Sequence, residues 1–136
     1  MRLTYAALIM AGLSAAPATA ADYKMHVSDT GLREYYCQLM VTLENTGDAP
    51  LGEISGYFYA FIGTEKVGRS KGAWYLNVAP GMSAEATFET PNAPCDTIER
   101  YEFVVGACRL DAGFEEKSLC ADRIEFAEPL VLQVSD

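Results

Sequence analysis

Apolar side chains recur at every second position through most of this chain after residue 20. No segment there keeps an apolar repeat of three or four residues over the length of a helix. The run that begins at Tyr35 shows the pattern well, with alternating apolar residues at Cys37, Leu39, Val41 and Leu43. Successive side chains of a β-strand point to opposite faces, so this period is typical of strands that bury one face. The sequence therefore predicts an all-β fold.

Turn signals divide the chain into seven or eight such strands. Clusters that contain Gly, Pro, Asn or Asp interrupt the alternation at 45–50, 63–66 and 79–81. The predicted strands cover about 23–27, 35–44, 53–62, 67–71, 74–78, 83–89, 100–107 and 124–134, the first as a short edge strand and the last interrupted by Pro129. Short strands at this spacing predict an immunoglobulin-like antiparallel β-sandwich.

The first twenty residues have the composition of a secretory signal peptide. A basic start at Arg2 precedes an apolar run, and the small residues Ala18 and Ala20 favour cleavage after Ala20. The apolar run is shorter than the roughly 20 residues that a membrane-spanning helix needs. The sequence predicts a signal peptide over 1–20 and one domain over 21–136, which is periplasmic or secreted and has no membrane span after cleavage.

All four cysteines, Cys37, Cys95, Cys108 and Cys120, follow the predicted cleavage site. An even number of cysteines in an oxidising compartment indicates two disulfides, and four cysteines allow three pairings that the sequence cannot distinguish. The short connection between Cys108 and Cys120 favours that pair, which leaves Cys37 for Cys95. The spacing lacks the close pairs of a four-cysteine zinc site.

Charge and titratable residues narrow the classes of function. With 19 acidic against 10 basic residues, the formal net charge is −9, which disfavours a phosphate-binding surface and nucleic acid as a partner. His26 is the single histidine, and no nucleophile, base and orienting acid converge around it in sequence, so we expect no enzyme. A copper site could recruit Met25 and His26 with Met40 or Met82, but these residues are dispersed. We therefore predict no cofactor and no metal.

The predicted outward face of strand 53–62 is the candidate binding surface. If Phe58 and Trp74 point into the core, strand alternation places another set of side chains outside. That set is Tyr57, Tyr59, Phe61, Arg69, Lys71 and Tyr75. Exposed aromatic rings beside basic groups give a large contact area at low entropic cost, as protein or carbohydrate contacts require. The competing interpretation is that the chain termini or the loop after Cys108 cover this face.

The turn at 44–51, the aromatic run Tyr57-Phe58-Tyr59, the hairpin to Val67-Gly68 and the turn at 79–84 resemble bacterial FxLYD-type and related immunoglobulin-like modules. The resemblance covers about 41–105, with Phe58-Tyr59-Ala60-Phe61 near the place of the Phe-x-Leu-Tyr-Asp stretch and without its aspartate. It implies a non-catalytic extracytoplasmic module and supplies no functional residues.

These observations lead to one function and two alternatives. The favoured function is a non-catalytic periplasmic or secreted binding module that contacts a protein or another component of the cell envelope. The first alternative is a carbohydrate-binding accessory domain that uses the same aromatic residues. The second alternative is a small periplasmic copper carrier. The oligomeric state stays open.

Overall fold

The structure is a computed structural model that describes residues 21–33, 36–91, 93–110, 113–114 and 117–133. The predicted signal peptide, residues 1–20, lies outside these ranges. Most of the described residues are in β-strands, and two sheets pack against each other with the apolar core between them. This arrangement confirms the predicted all-β sandwich.

The described residues form ten strands, one short 3₁₀ helix and one short α-helix. In chain order these are β1 (Tyr23–Arg33), β2 (Tyr36–Asn45), β3 (Leu51–Ile62), β4 (Glu65–Arg69), β5 (Ala73–Val78), β6 (Ser83–Pro91), the 3₁₀ helix Cys95–Thr97, β7 (Arg100–Leu110), β8 (Gly113–Phe114), α1 (Lys117–Ala121), β9 (Ile124–Phe126) and β10 (Leu130–Gln133). The number exceeds the predicted seven or eight because β8 is an additional two-residue strand and the segment around Pro129 forms two strands.

The smaller sheet has the strand order β6-β2-β1-β9 and the larger sheet has the order β10-β7-β3-β4. Two further strands join the larger sheet: β5 pairs with β3, next to β4, and β8 pairs with β7. The pairing is antiparallel as predicted except that β9 and β10 run parallel to β1 and β7. These two C-terminal strands belong to different sheets, so the chain crosses from one layer to the other between them.

The first strand differs from the prediction in length and position. β1 extends to Arg33 because it pairs with β2 along nearly the whole length of both strands, from Tyr23 opposite Asn45 to Arg33 opposite Tyr36. At its start it also pairs with β9, so it lies inside the sheet there. The prediction of a short edge strand over 23–27 is therefore wrong.

The core is built from the inward faces of the two sheets. In β2 the predicted apolar set of Cys37, Leu39, Val41 and Leu43 is fully buried. Opposite this strand, the ring of Phe58 lies 4.3 Å from the ring of Phe88 and 4.8 Å from that of Phe103, measured between centroids. Burial of a large apolar side chain stabilises a fold by about 1.5–3 kcal/mol, so these rings contribute strongly to the packing between the sheets.

Both disulfides favoured by the sequence are present. Cys37 is bonded to Cys95, which joins β2 to the 3₁₀ helix, and Cys108 is bonded to Cys120, which joins β7 to α1. Two disulfides indicate an oxidising, extracytoplasmic environment. Among the described residues, none of the helices is long and apolar enough to cross a bilayer.

In β5, Trp74 and Tyr75 point to the sides of the sheet opposite to those that the sequence predicts. Tyr75 is completely buried, and its hydroxyl donates a hydrogen bond to the Val41 carbonyl oxygen at 3.0 Å. Trp74 is 61% exposed. The placement of Tyr75 on the outer surface is wrong because Asn77 has φ 53° and interrupts the alternation. Counting back in steps of two from the buried Val78 therefore gives the wrong face.

Candidate binding surface

Two tyrosines of β3 lie on the outward side of the larger sheet, as the alternation predicts. Phe58 and Ala60 of this strand are buried in the core, whereas Tyr57 and Tyr59 are half-buried on the opposite side. The Tyr57 and Tyr59 rings meet edge to face, with centroids 5.3 Å apart and planes at 88°. This arrangement is favourable for aromatic rings and fixes both side chains on a central strand.

The neighbouring strand β5 adds the single tryptophan to this surface. Trp74 is paired with Ser55, whose position in β3 has the same orientation as Tyr57. The indole lies against Gly72, where a built Cβ would come within 2.8 Å of a ring carbon. A side chain at position 72 would displace the ring, so the glycine allows the indole to lie close to the backbone. Leu76, 51% exposed, continues the surface along β5.

Two cations from β4 contact the tyrosine rings. The Lys66 Nζ lies 3.6 Å from the centroid of the Tyr59 ring, and the Arg69 guanidinium carbon lies 5.1 Å from that of Tyr57. Both distances fall within the range of cation–π attraction. We call the outward surface formed by Tyr57, Tyr59, Lys66, Arg69 and Trp74 the aromatic face.

Phe61 is only 7% exposed, so its predicted place on the outer surface is wrong. The Arg100 guanidinium carbon lies 4.2 Å from the centroid of the Phe61 ring, so the arginine side chain covers it. Arg100 is held there by a hydrogen bond to the Gly63 carbonyl and by an ion pair with Glu102 at 3.3 Å. Phe61 therefore supports the end of the aromatic face and does not form part of its contact area.

Lys71, also predicted on the surface, is exposed but belongs to a neighbouring cleft. The cleft has a volume of about 520 Å³ and lies between the end of β4 and the strand β6. Its lining residues are Tyr36, Arg69, Lys71, Thr87, Phe88 and Glu89. Arg69 is common to the cleft and the aromatic face, so the two surfaces are adjacent.

Neighbouring groups shift the acidity of the two tyrosines in opposite directions. A hydrogen bond from the Tyr57 hydroxyl lowers the pKa of Tyr59, and Arg69 and Lys66 lower it further. The same hydrogen bond, with burial, raises the pKa of Tyr57. The charged form of Tyr59 is therefore favoured by its hydrogen bond and by the two cations, whereas the neutral form of Tyr57 is favoured.

Sequence reasoning found some members of the aromatic face and missed others. Tyr57, Tyr59 and Arg69 follow from alternation along their strands. Lys66 and Trp74 were missed. The hairpin register, which pairs Phe61 with Lys66, was the available signal for the lysine. For Trp74 the signal was Asn77, a residue type that tolerates positive φ.

Two of the residues considered for copper binding, Met25 and His26, lie on opposite faces of β1. Met25 is fully buried in the core, whereas the adjacent His26 points away from it and lies 3.8 Å from a Glu44 carboxylate oxygen. Adjacent strand residues point to opposite faces, so Met25 cannot join His26 in a surface site. Within the described ranges, no three His, Cys, Asp or Glu side chains are grouped as metal ligands.

Comparisons with known proteins support the fold alone. No protein-family model matches the chain, and no curated protein is significantly similar in sequence. Among solved structures, the chain is similar to IrmA from Escherichia coli with a TM-score of 0.56 and 11% sequence identity. The similarity covers 79% of this chain and 92% of that chain. It places this protein among all-β sandwiches.

Proposed function

We propose that this chain is a non-catalytic binding module of the periplasm or the secreted space, and that its aromatic face contacts a protein of the cell envelope. The observation that carries the proposal is Trp74, an indole that is 61% exposed beside two tyrosines and two cations on the larger sheet. Trp, Tyr and Arg dominate the binding energy of protein interfaces. An exposed aromatic cluster of this kind is typical of an interaction site.

The charge of the aromatic face favours a partner with acidic groups. Lys66, Arg69, Lys71 and Arg100 make up four of the ten basic residues of the chain and lie near one end of the larger sheet. Lys66 and Arg69 lie on the aromatic face itself, whereas Arg100 is paired with Glu102 and Lys71 lines the neighbouring cleft. Carboxylates at the rim of the partner would therefore speed association and fix its orientation.

The geometry favours a protein over a carbohydrate. A sugar needs an open ring face on which to stack, but Lys66 lies over the Tyr59 ring and the Tyr57 ring is perpendicular to that of Tyr59. Trp74 alone would offer a stacking platform. A protein partner can use edges, cations and the indole together.

Export of the chain and its relation to known modules are further parts of this proposal. The first twenty residues have the composition of a signal peptide, and the two disulfides fit an extracytoplasmic destination. The resemblance to FxLYD-type and related immunoglobulin-like modules also supports a binding role. The proposed function includes no catalytic activity.

Site-specific photo-crosslinking tests the proposed contact. The variant Leu76→p-benzoylphenylalanine places a crosslinker beside Trp74 without altering the aromatic face, and Leu119→p-benzoylphenylalanine places the same group on α1 with equal exposure of the native residue, 51%. After irradiation of cells that express the chain natively, we expect a discrete crosslinked protein from position 76 and none from 119. Mass spectrometry identifies the product.

Alanine variants decide whether the aromatic face is responsible. When Trp74→Ala and Tyr57→Ala are added to the crosslinking variant at position 76, the crosslink should disappear. Met82→Ala, which also truncates an exposed apolar side chain, should leave the crosslink unchanged. An undiminished crosslink in the double variant would contradict the proposal. Retention of a defined oligosaccharide on a glycan array, lost with Trp74→Ala, would establish the carbohydrate alternative instead.

A further inference from the structure

β6 is the end strand of the smaller sheet. Its inner edge pairs with β2 from Tyr36 opposite Pro91 to Glu44 opposite Ser83, and none of the described strands pairs with its outer edge. In an antiparallel pair, alternate residues of an end strand direct their N–H and C=O groups away from the neighbour. The outer edge of β6 is thus a row of backbone groups that can template another strand.

The cleft beside β4 follows this edge. Three consecutive β6 residues, Thr87, Phe88 and Glu89, line it. Their side chains alternate between the two sides of the sheet, with Phe88 buried and its neighbours exposed, so a single cleft reaches all three only along the strand edge. The backbone of 87–89 therefore borders an open volume of about 520 Å³.

We propose that this edge binds an extended acidic peptide segment of a partner protein by strand addition. Backbone hydrogen bonds to β6 would supply affinity, as in other cases of β-augmentation. Peptide carboxylates that face the cleft would pair with Arg69 and Lys71 on its opposite wall, and the alternate, uncharged side chains of the peptide would lie on the side of Glu85 and Glu89. The inference goes beyond the proposed function because it concerns the edge of β6, which shares Arg69 with the aromatic face but does not depend on contacts of Trp74.

A second copy of this chain is the poorer occupant. Antiparallel pairing of two β6 edges about Thr87 would bring Glu85 of each copy opposite Glu89 of the other. Like charges directly opposite each other destabilise a strand pair.

Amide hydrogen exchange of the purified protein, followed by NMR, tests the inference. The probes are acetylated and amidated peptides of about ten residues in which glutamate alternates with valine or threonine. The controls are peptides of the same pattern with glutamine, the neutral isostere, in place of glutamate. With acidic peptide, alternate amides within 86–90 should exchange about tenfold more slowly, and the glutamine peptides at the same concentration should give much weaker protection.

Variants separate this inference from the proposed function. Lys71→Glu should weaken binding of the acidic peptides about tenfold, whereas Lys117→Glu, the same charge change on the distant α1, and Trp74→Ala should have no effect. Methylation of alternate peptide amides should abolish binding because it removes the backbone donors. Unaltered exchange at 86–90 with every acidic peptide, or full affinity of the methylated peptides, would overturn the inference. Protection that arises without peptide as protein concentration increases would overturn it in favour of self-association.

Discussion

Two buried tyrosines connect the sheets at the scale of single residues. Tyr75 of the larger sheet donates a hydrogen bond to the Val41 carbonyl oxygen of β2. Tyr101, also from the larger sheet, places its hydroxyl 3.1 Å from Cys37 Sγ, which belongs to a disulfide and can only accept. Both contacts cross the core, so each tyrosine contributes a specific link between layers in addition to its apolar area.

The substitution Tyr75→Phe tests the first link. It keeps the ring but removes the donor and leaves the Val41 oxygen without this partner, so we expect the free energy of unfolding to fall by about 1–2 kcal/mol. Urea unfolding followed by circular dichroism measures the change. Tyr59→Phe, which removes a hydroxyl on the outer surface, is the control and should alter stability little. Equal stability of both variants would show that the Tyr75 hydroxyl is not buried as described.

The buried tyrosines also predict a loss of stability at alkaline pH. Burial raises the pKa of Tyr101 from 10.0 to about 12 and raises that of Tyr75 further. The neutral phenol is favoured in the fold, so the contribution is complete below pH 10 and is lost as pH rises through the folded-state pKa values. Urea midpoints measured from pH 8 upwards should decline above pH 10. The decline should be smaller in Tyr101→Phe, and a profile that is identical in this variant would contradict the assignment.

At the scale of strands, the sequence predicts those elements whose position and orientation are set by local alternation of apolar and polar residues. β2, β3, β6 and β7 follow from the sequence because their apolar residues keep a period of two and turn residues bound them. β5 does not, because the left-handed Asn77 moves Val78 out of phase with Trp74. The parallel pairs of β9 and β10 depend on contacts between distant segments, which periodicity does not report.

The residues of the aromatic face also divide into those that local alternation predicts and those that depend on contacts between strands. Tyr57 and Tyr59 lie on one strand, and their common orientation is a local property. That Arg100 covers Phe61, and that Lys66 reaches Tyr59, depend on the register between strands. Sequence reasoning therefore located the right sheet face and only part of its composition.

The close approach of β3 and β7 at Gly56 gives a prediction for a single element. A Cβ on Gly56 would overlap the Val104 carbonyl oxygen and lie 2.8 Å from the Phe103 ring, next to a register irregularity. Gly56→Ala should therefore destabilise the fold by about 1–3 kcal/mol. In Gly106→Ala the nearest atom would be at an ordinary 3.5 Å, so this matched variant should stay within about 0.5 kcal/mol of the native protein. Thermal or urea unfolding compares the two, and similar losses in both would contradict the described pairing.

At the scale of the whole molecule, the two disulfides constrain loops of different length. The Cys37–Cys95 bond spans 58 residues and the Cys108–Cys120 bond spans 12. In the chain-entropy model their contributions to stability are about 4 and about 3 kcal/mol. Paired alanine variants should therefore both unfold at lower urea concentration, with the larger loss for Cys37 and Cys95. Peptide mapping of the native protein under non-reducing conditions verifies the pairing, and any other pairing would contradict the fold.

The orientation of β5 decides both the core and the aromatic face, and the single tryptophan reports it directly. Acrylamide quenching of Trp74 fluorescence should be nearly as efficient in the native protein as after unfolding in urea, with an emission maximum typical of an indole in water. This is the result expected when Trp74 is exposed and Tyr75 is buried. A blue-shifted emission that resists quenching until the protein unfolds would place Trp74 in the core and contradict the proposed binding surface.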